Sequence, residues 1–443
     1  MKKEWIDSEK DADVIVIGGG LEGLTAALAL GQAGRQVILL EKAAALGGRA
    51  ASQQKEGYTF NLGPHALYRS GAAFQHFSEI GLSLAGGLPN QQGALALTQG
   101  AHYLLPAAPA SFLKTRLLSA GEKLQVGKAL LRLMRDKPAA YASISISAYL
   151  DELGLTGRCR ALLETLSRIS TYGNAPDQMS AEILLHQYQI YNSGNVLYLD
   201  GGWQSLVAGL VNLMTALPVT IRLRERVVSL AETAAGVQVA LAGGSRLLAG
   251  AAILAVEPEF AAELLPEALL LTAGQPILAA SLDVALRRLP DASFAFAAGL
   301  DKPYYYSVHT AAADLAPAGH ALIHIAKYLA PTGPEAMADE AELETLLDQL
   351  QPGWRAELDH KRFLPHLRVV TRLTTAANGG LAGRQPVTII GHDRIFLAGD
   401  WVGPAGWLAD ASVASALAAA RAAEGLANPS GSATRRVSQP VWS

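Results

Sequence analysis

Residues Asp13 to Arg49 read DVIVIGGGLEGLTAALALGQAGRQVILLEKAAALGGR. The run Val14-Ile15-Val16-Ile17 is apolar at every position, the pattern of a strand covered on both faces. Gly18, Gly20 and Gly23 follow at once in G-x-G-x-x-G spacing, a helical stretch runs from Leu21 to Ala33, and a second strand, Val37 to Leu40, ends at Glu41. Each glycine has a separate duty: Gly18 permits the tight turn, Gly20 lets the backbone approach a pyrophosphate, and Gly23 lets helix pack on strand. Free N–H groups and the positive dipole end of the helix face the phosphates. Glu41 then accepts hydrogen bonds from ribose hydroxyls. Strand, glycines, helix, strand and acid in this order predict a dinucleotide-binding βαβ unit. An acid in place of a base favours FAD or NAD over NADP, and the spacing does not choose between those two.

At 443 residues the chain is long for one domain, and two are expected. Half of the residues are hydrophobic and 17% are charged, enough for a large core. A net charge of −3 offers no basic excess to neutralise phosphates, which argues against a nucleic-acid partner. Cys159 is the sole cysteine, so no disulfide or cysteine-based metal site forms within the chain, in keeping with a reducing cytoplasm. The stretch MKKEWIDSEKDAD is too polar for a signal peptide. The longest uncharged run, Ile80 to Leu113, is broken by glycine, proline and glutamine and makes a poor membrane span.

Tyr58-Thr59-Phe60 reads as a short strand ending at the turn Asn61-Leu62-Gly63-Pro64. Two hairpin strands follow, Ala94 to Thr98 and Ala101 to Leu105, then a helical region from Ser111 to Arg135 and a helix from Ser147 to Leu153. Between residues 111 and 137, seven cations oppose only Glu122 and Asp136, giving +5. This basic amphipathic stretch reads either as a solvated helix face with leucines in the core or as a peripheral membrane contact. After Asp200-Gly201-Gly202 comes a helix to Thr215 and four strands: Val219 to Leu223, Val227 to Ala231, Val237 to Leu241 and Leu247 to Val256. Alternating strands and loops fill Pro276 to Arg372, and a last strand, Arg394 to Ala398, runs into Gly399-Asp400 and an alanine-rich helix from Asp410 to Glu424. The expected division is a dinucleotide domain from 11–68, 196–262 and 389–426, a substrate domain from 69–195 (helical over 111–153) and 263–388, and a flexible tail, 427–443.

Three separated motifs then agree: the N-terminal unit, Gly47-Gly48-Arg49 after Glu41, and the strand–Gly399-Asp400–helix. Together they resemble the FAD-dependent amine oxidase superfamily. The turn Asn61-Leu62-Gly63-Pro64-His65, the turn Asp200-Gly201-Gly202 and the ending LAGDWVGPAGWLADASVASALAAA look most like its phytoene dehydrogenase-related branch of carotenoid desaturases. The resemblance covers the dinucleotide segments; the others match only in layout. It implies an α/β fold: a discontinuous glutathione-reductase-like FAD-binding domain with an interleaved α+β substrate domain. It also implies cofactor contacts from Gly18, Gly20, Leu21, Glu22, Gly23, Glu41, Lys42, Gly48, Arg49, Gly63, Pro64, His65, Val227, Gly399, Asp400, Ala409, Asp410 and Ala411. Arg49 suits a pyrophosphate, Asp400 the ribityl chain or phosphate-bound water, and the helix N-terminus near Ala409 the pyrimidine edge of the flavin. No cysteine stands near the C-terminal motif, so the FAD is expected to be non-covalent.

Beyond the flavin, His65 is a candidate proton acceptor or oxygen-polarising group, or else a histidine that fixes its own loop. In Tyr304-Tyr305-Tyr306, period two puts Tyr304 and Tyr306 on one face, which lines a substrate cavity or packs in a core. Glu182 and His186 share a helix face without a second ligand pair, so no metal is expected. The implied activity is that of an FAD-dependent oxidoreductase. It would abstract hydride from a carbon of a mostly apolar small molecule, as a desaturase, dehydrogenase or flavin-assisted isomerase, with oxygen or a quinone-like acceptor. Two alternatives stand beside it: an amine or amino-acid oxidase, and a binding protein without flavin, of the kind the Rab GDP-dissociation inhibitors represent.

Overall fold

The computed structural model describes residues 10–265, 274–331 and 336–427; residues 428–443 of the expected tail lie outside that range. Two large sheets draw alternately on the chain. In the first, strands Val219–Leu223, Val37–Glu41, Ala12–Ile17 and Arg246–Leu254 run parallel in that order. The far edge of Arg246–Leu254 is shared. Its first half pairs antiparallel with Gly236–Leu241, itself paired with Val227–Thr233, and its last residues pair parallel with His392–Leu397. Parallel strands buried on both faces explain the unbroken apolar runs, and alternate residues serve opposite cores. Val14, Val16 and Leu39 pack under helices Leu21–Gln32, Trp203–Met214 and Ala409–Ala427, while Ile15, Ile17, Ile38 and Leu40 face the other way.

The second sheet orders strands Leu358–Val370, Ile277–Leu286, Ala321–Tyr328, Tyr304–Val308, Phe296–Gly299, Leu95–Thr98 and Ala101–Leu104. All pairings are antiparallel except that of Phe296–Gly299 with Leu95–Thr98. Helix Ala336–Leu350 covers one face, through Leu343, Leu346, Leu347 and Leu350. A helical layer packs Val126, Tyr149, Leu163 and Leu184 into a separate core.

The packing differs from the sequence reading in two places. The helical region expected from Ser111 to Arg135 is two helices, Pro109–Lys114 and Ala120–Arg135. The break is a capping box, in which the Ser119 hydroxyl accepts from the Glu122 amide and the Glu122 carboxylate accepts from the Ser119 amide. Helix Ala72–Glu79, assigned from sequence to the substrate segments, buries Ala73 and Phe77 in the core of the first sheet and packs on Ala409–Ala427.

Candidate cofactor and active site

A cavity of about 300 Å³ lies at the carboxyl ends of the first sheet's parallel strands and extends to the second sheet. The turn after the first strand is as crowded as its glycines predict. Gly18 has φ +108°, and a Cβ there would stand 2.1 Å from the Ala255 carbonyl oxygen; a Cβ on Gly23 would stand 1.9 Å from that of Gly18. Gly20 caps helix Leu21–Gln32 without a side chain, leaving the helix N–H groups free. Across from it, a Cβ on Gly48 would lie 3.4 Å from the Gly20 Cα, so the two glycines form a cradle that side chains would fill.

The charged groups around this cradle are ordered. The Glu41 carboxylate accepts from the Gly19 and Ala43 amides, each at 2.7 Å. Arg49 donates to the Val369 carbonyl at 3.0 Å and to Asp400 Oδ2 at 2.9 Å, and the Thr371 amide donates to the same Oδ2 at 3.0 Å. The Arg49 guanidinium holds the buried Asp400 carboxyl below the usual carboxylate range even though burial acts in the opposite sense. Burial raises the pKa of Glu22 in the same turn. Arg384, brought down to about 10 by burial, donates to the Asp400 and Gly406 carbonyls and lies over Trp407, which pins the loop after Gly399. At the opposite end Lys42 and Arg226 both stand over the Phe260 ring.

Of the expected cofactor residues, Gly18, Gly20, Leu21, Glu22, Glu41, Lys42, Gly48, Arg49, Pro64, His65, Val227, Asp400, Ala409 and Asp410 all line this cavity. Gly23, Gly63, Gly399 and Ala411 do not line it, because they are spacers. Gly23 seats the helix on the strand, a Cβ on Gly63 would meet Leu367, Gly399 lies under the Trp401 ring, and Ala411 is fully buried. His65 has Nδ1 3.1 Å from the Gly63 carbonyl and Nε2 3.1 Å from that of Arg49, and burial pushes its pKa down to about 4. A neutral ring donates to one of the two carbonyls and so fastens its own loop. Asp410, pushed up to about 7 by burial, accepts from the Ala73 amide through Oδ1 and ties two helix N-termini together.

Tyr304 and Tyr306 share a face, as period two requires, but that face is covered by helix Ala336–Leu350 and does not line the cavity. Tyr304 hydrogen-bonds Glu342, and Tyr306 accepts from Gln351 at 2.8 Å. The opposite face carries Tyr305, which does not line the cavity either; its hydroxyl lies 3.2 Å from that of Tyr198. The cavity wall on that side comes from Tyr68, Tyr172, Tyr328, Ala279, Ala326, Leu367, Trp407 and Leu408, none of which the sequence reading named as a site residue. Tyr172 ends helix Gly157–Thr171 at φ +60° and Leu408 sits at φ +55°; a left-handed conformation costs a side-chain-bearing residue about 1 kcal/mol, and both line the cavity. The rings of Tyr172 and Tyr328 meet edge to face at 6.1 Å, and the buried Tyr328 hydroxyl has no partner. Behind this wall His324 Nδ1 lies 2.7 Å from Asp283 Oδ1, and Arg362 binds the other carboxylate oxygen, a buried polar row that the sequence pattern did not reveal.

The empty acceptor Asp400 Oδ1, the glycine cradle and the uncapped helix N-terminus fit FAD. Cys159 is buried in helix Gly157–Thr171 and does not line the cavity, which leaves no cysteinyl tether for the flavin. Fold and site together define an FAD-dependent oxidoreductase. Residues 23–423 match the family model for flavin containing amine oxidoreductase, and the chain belongs to that family. It is 46% identical over 65 residues to the carotenoid 3,4-desaturase of Haloarcula japonica, covering 15% of this chain and 13% of that protein. Over 264 residues it is 30% identical to the (S)-6-hydroxynicotine oxidase of Paenarthrobacter nicotinovorans, covering 55% of this chain and 59% of the other. These matches thus span about an eighth and about three fifths of those two relatives. An oxidoreductase structure from Methanosarcina mazei superposes with a TM-score of 0.71 at 16% identity, covering 91% of this chain and 99% of that one, a likeness of fold.

Proposed function

We propose that this chain removes hydride from a carbon of a mostly apolar small molecule and forms a carbon–carbon double bond, with oxygen or a quinone-like molecule as the final acceptor. The carrying observation is the composition of the cavity wall away from the phosphate cradle. Tyr68, Tyr172, Tyr328, Ala279, Ala326, Leu367, Trp407 and Leu408 present aromatic and aliphatic surface and no carboxylate or cation to a substrate. Such a wall favours a polyene or similar hydrocarbon; of the charged residues that line the same cavity, Arg49 is paired with Asp400, Arg368 with Glu257 and Glu259, and Asp410 accepts from the Ala73 amide.

Bound FAD supplies the two-electron acceptor chemistry. The chain's residues bind, orient and exclude water. Glu41 stands at the adenosine end, Gly20, Gly48 and the helix N-terminus at the pyrophosphate, Arg49 and Asp400 beside it, and the N-terminus of Ala409–Ala427 beyond. The proton lost from the neighbouring carbon is released to solvent; the unpartnered Tyr328 hydroxyl, kept protonated by burial, is a polar atom on the apolar wall that orients the substrate. His65 serves as a loop fastener in this reading, since both of its ring nitrogens face carbonyls.

A second reading, oxidation of an amine or amino acid, draws on the edge-to-face pair of Tyr172 and Tyr328 and on the likeness to the (S)-6-hydroxynicotine oxidase. Anaerobic bleaching of the bound flavin separates the two. Loss of the oxidised-flavin absorbance with polyenes, and none with amines or amino acids, is the expected result; bleaching with amines alone would overturn the desaturase reading. A purified protein that is colourless and takes up no FAD would overturn the enzyme reading altogether and leave a binding protein of this fold.

A further inference from the structure

Nine large apolar side chains are strongly exposed among the described residues, and four of them fall between residues 113 and 134: Leu113 at 74%, Leu124 at 62%, Leu131 at 55% and Met134 at 44%. Single exposed apolar residues are ordinary on a protein surface, but four on one short segment are not. Helix Ala120–Arg135 carries three of them. Leu124 and Leu131 are seven residues apart and nearly eclipsed along the axis, with Lys128 and Arg135 each four residues after one of them on the same face. Val126, Ala129 and Leu133 already anchor the opposite side of this helix in the core, so the outward leucines contribute nothing to holding it in place.

The charges match this stripe. Lys114, Arg116, Lys128, Arg135 and Lys137 are exposed and have no acidic partner among the described residues. The two acids of the segment are engaged, Glu122 in the Ser119 capping box and Asp136 with Arg132. The seven cations and two acids of residues 111–137 give +5, so the remainder of a chain of net charge −3 carries −8. Residues 111–137 therefore carry a basic, apolar surface on a chain whose remainder is net acidic, a distribution that turns that surface toward an anionic one. Leucine side chains at the level of the headgroups, with lysine and arginine heads reaching the lipid phosphates, are the arrangement of an interfacial helix.

We propose that the face formed by Leu113, Leu124, Leu131 and Met134 with Lys114, Lys128 and Arg135 docks this protein on an anionic lipid bilayer. The helix lies in the interface and does not cross it; no helix among the described residues is long and apolar enough to do so. This inference rests on the surface alone and stands apart from the reading of the reaction.

The test is flotation of the full-length, FAD-loaded protein with two kinds of vesicle: phosphatidylcholine alone, and phosphatidylcholine with 30% phosphatidylglycerol by design, each in low and in high salt. The wild type is expected to float with the anionic vesicles in low salt and to stay behind with the neutral ones. Each cation near the surface is worth roughly fivefold in partitioning, so K114Q/K128Q/R135Q should weaken binding on the order of 100-fold. L113S/L124S/L131S should also weaken it, leaving only a component that salt removes, while a control at exposed cations elsewhere, K55Q/R246Q/R421Q, should bind as the wild type does. Unchanged far-UV circular dichroism and flavin content show that each variant is folded. Three results would each overturn the proposal: no flotation of the wild type with anionic vesicles in low salt, equal weakening by the control, or a concentration-dependent dimer in light scattering that the leucine variant dissolves while vesicle binding is unaffected.

Discussion

Replacing Asp400 by asparagine isolates the link between the two ends of the cofactor cradle. The side chain keeps its shape and still accepts from the Thr371 amide, but the ion pair with Arg49 at 2.9 Å becomes a neutral contact. Removing one partner of a buried pair costs about 3–5 kcal/mol. Arg49 is about one-third exposed and keeps its bond to the Val369 carbonyl, so water compensates part of the loss. A loss of about 2 kcal/mol for the flavin-free protein follows. The pH dependence has a definite sign. Folding lowers the Asp400 pKa, so the pair's contribution is present above the ordinary carboxylate range and is lost as pH falls through the lowered value. Chemical denaturation of the flavin-free protein at pH 7 should therefore show a lower midpoint for Asp400→Asn, and the gap should close as pH falls below the ordinary carboxylate range. Oδ1 has no protein partner, and in the proposed function it is the atom offered to the cofactor. Losing a charge-assisted hydrogen bond of about 1.5–3 kcal/mol should weaken FAD binding roughly ten- to 150-fold, read by quenching of flavin fluorescence. Equal midpoints at pH 7 together with equal FAD affinity would refute the assignment of Asp400 to both roles.

Three further outcomes follow from the same geometry. Gly23→Ala drives a methyl group to 1.9 Å from the Gly18 carbonyl oxygen, so the helix must lift from the strand; a loss of about 3 kcal/mol and of FAD binding is expected in denaturation and fluorescence titration. Asp410→Asn works in the opposite direction with pH. Its folded pKa of about 7 lies above the ordinary value, so the wild type is most stable when this carboxyl is protonated and loses that stability between about pH 4 and 7. The asparagine variant, which keeps an acceptor for the Ala73 amide, should gain on the order of 4 kcal/mol at pH 8 and nothing at pH 4; equal midpoints at pH 8 would contradict the raised pKa. Tyr328→Phe deletes a buried hydroxyl with no partner, so stability should hold or rise by about 1 kcal/mol while flavin reduction by the substrate slows. Unaltered reduction kinetics would remove Tyr328 from the positioning of the substrate.

The cofactor end of the site is legible in the sequence because its parts are local. Turn, helix and terminal acid are held by residues within 30 positions of one another, and the glycines are required by backbone contacts that no other residue survives, as at Gly18 and Gly23. The substrate end is not legible, because its wall is assembled from a helix C-cap at Tyr172, two strands carrying Ala279, Ala326 and Tyr328, and a loop at Trp407 and Leu408. Nothing in the local pattern marks Tyr172, which takes a left-handed conformation that glycine more often occupies.

Tyr304, Tyr305 and Tyr306 show where pattern stops being informative. Period two correctly separates Tyr305 from its neighbours, but both faces of that strand are buried, one by helix Ala336–Leu350 and the other by Tyr198, Tyr328 and Phe296. Hydrophobicity has no sign when both sides are dry, so it cannot say which side faces the cavity. The sequence by itself determined the βαβ unit, its glycines, Glu41, Arg49 and the distant Gly399-Asp400, because steric and hydrogen-bonding demands there act over a few residues. Only the tertiary structure decided that Arg49 meets Asp400 across the cradle, that Tyr304 and Tyr306 turn away, and that four leucine and methionine side chains stand in water on the basic face. Those outcomes depend on how separate segments pack against one another, and the packing energy belongs to pairs of segments and not to either one alone.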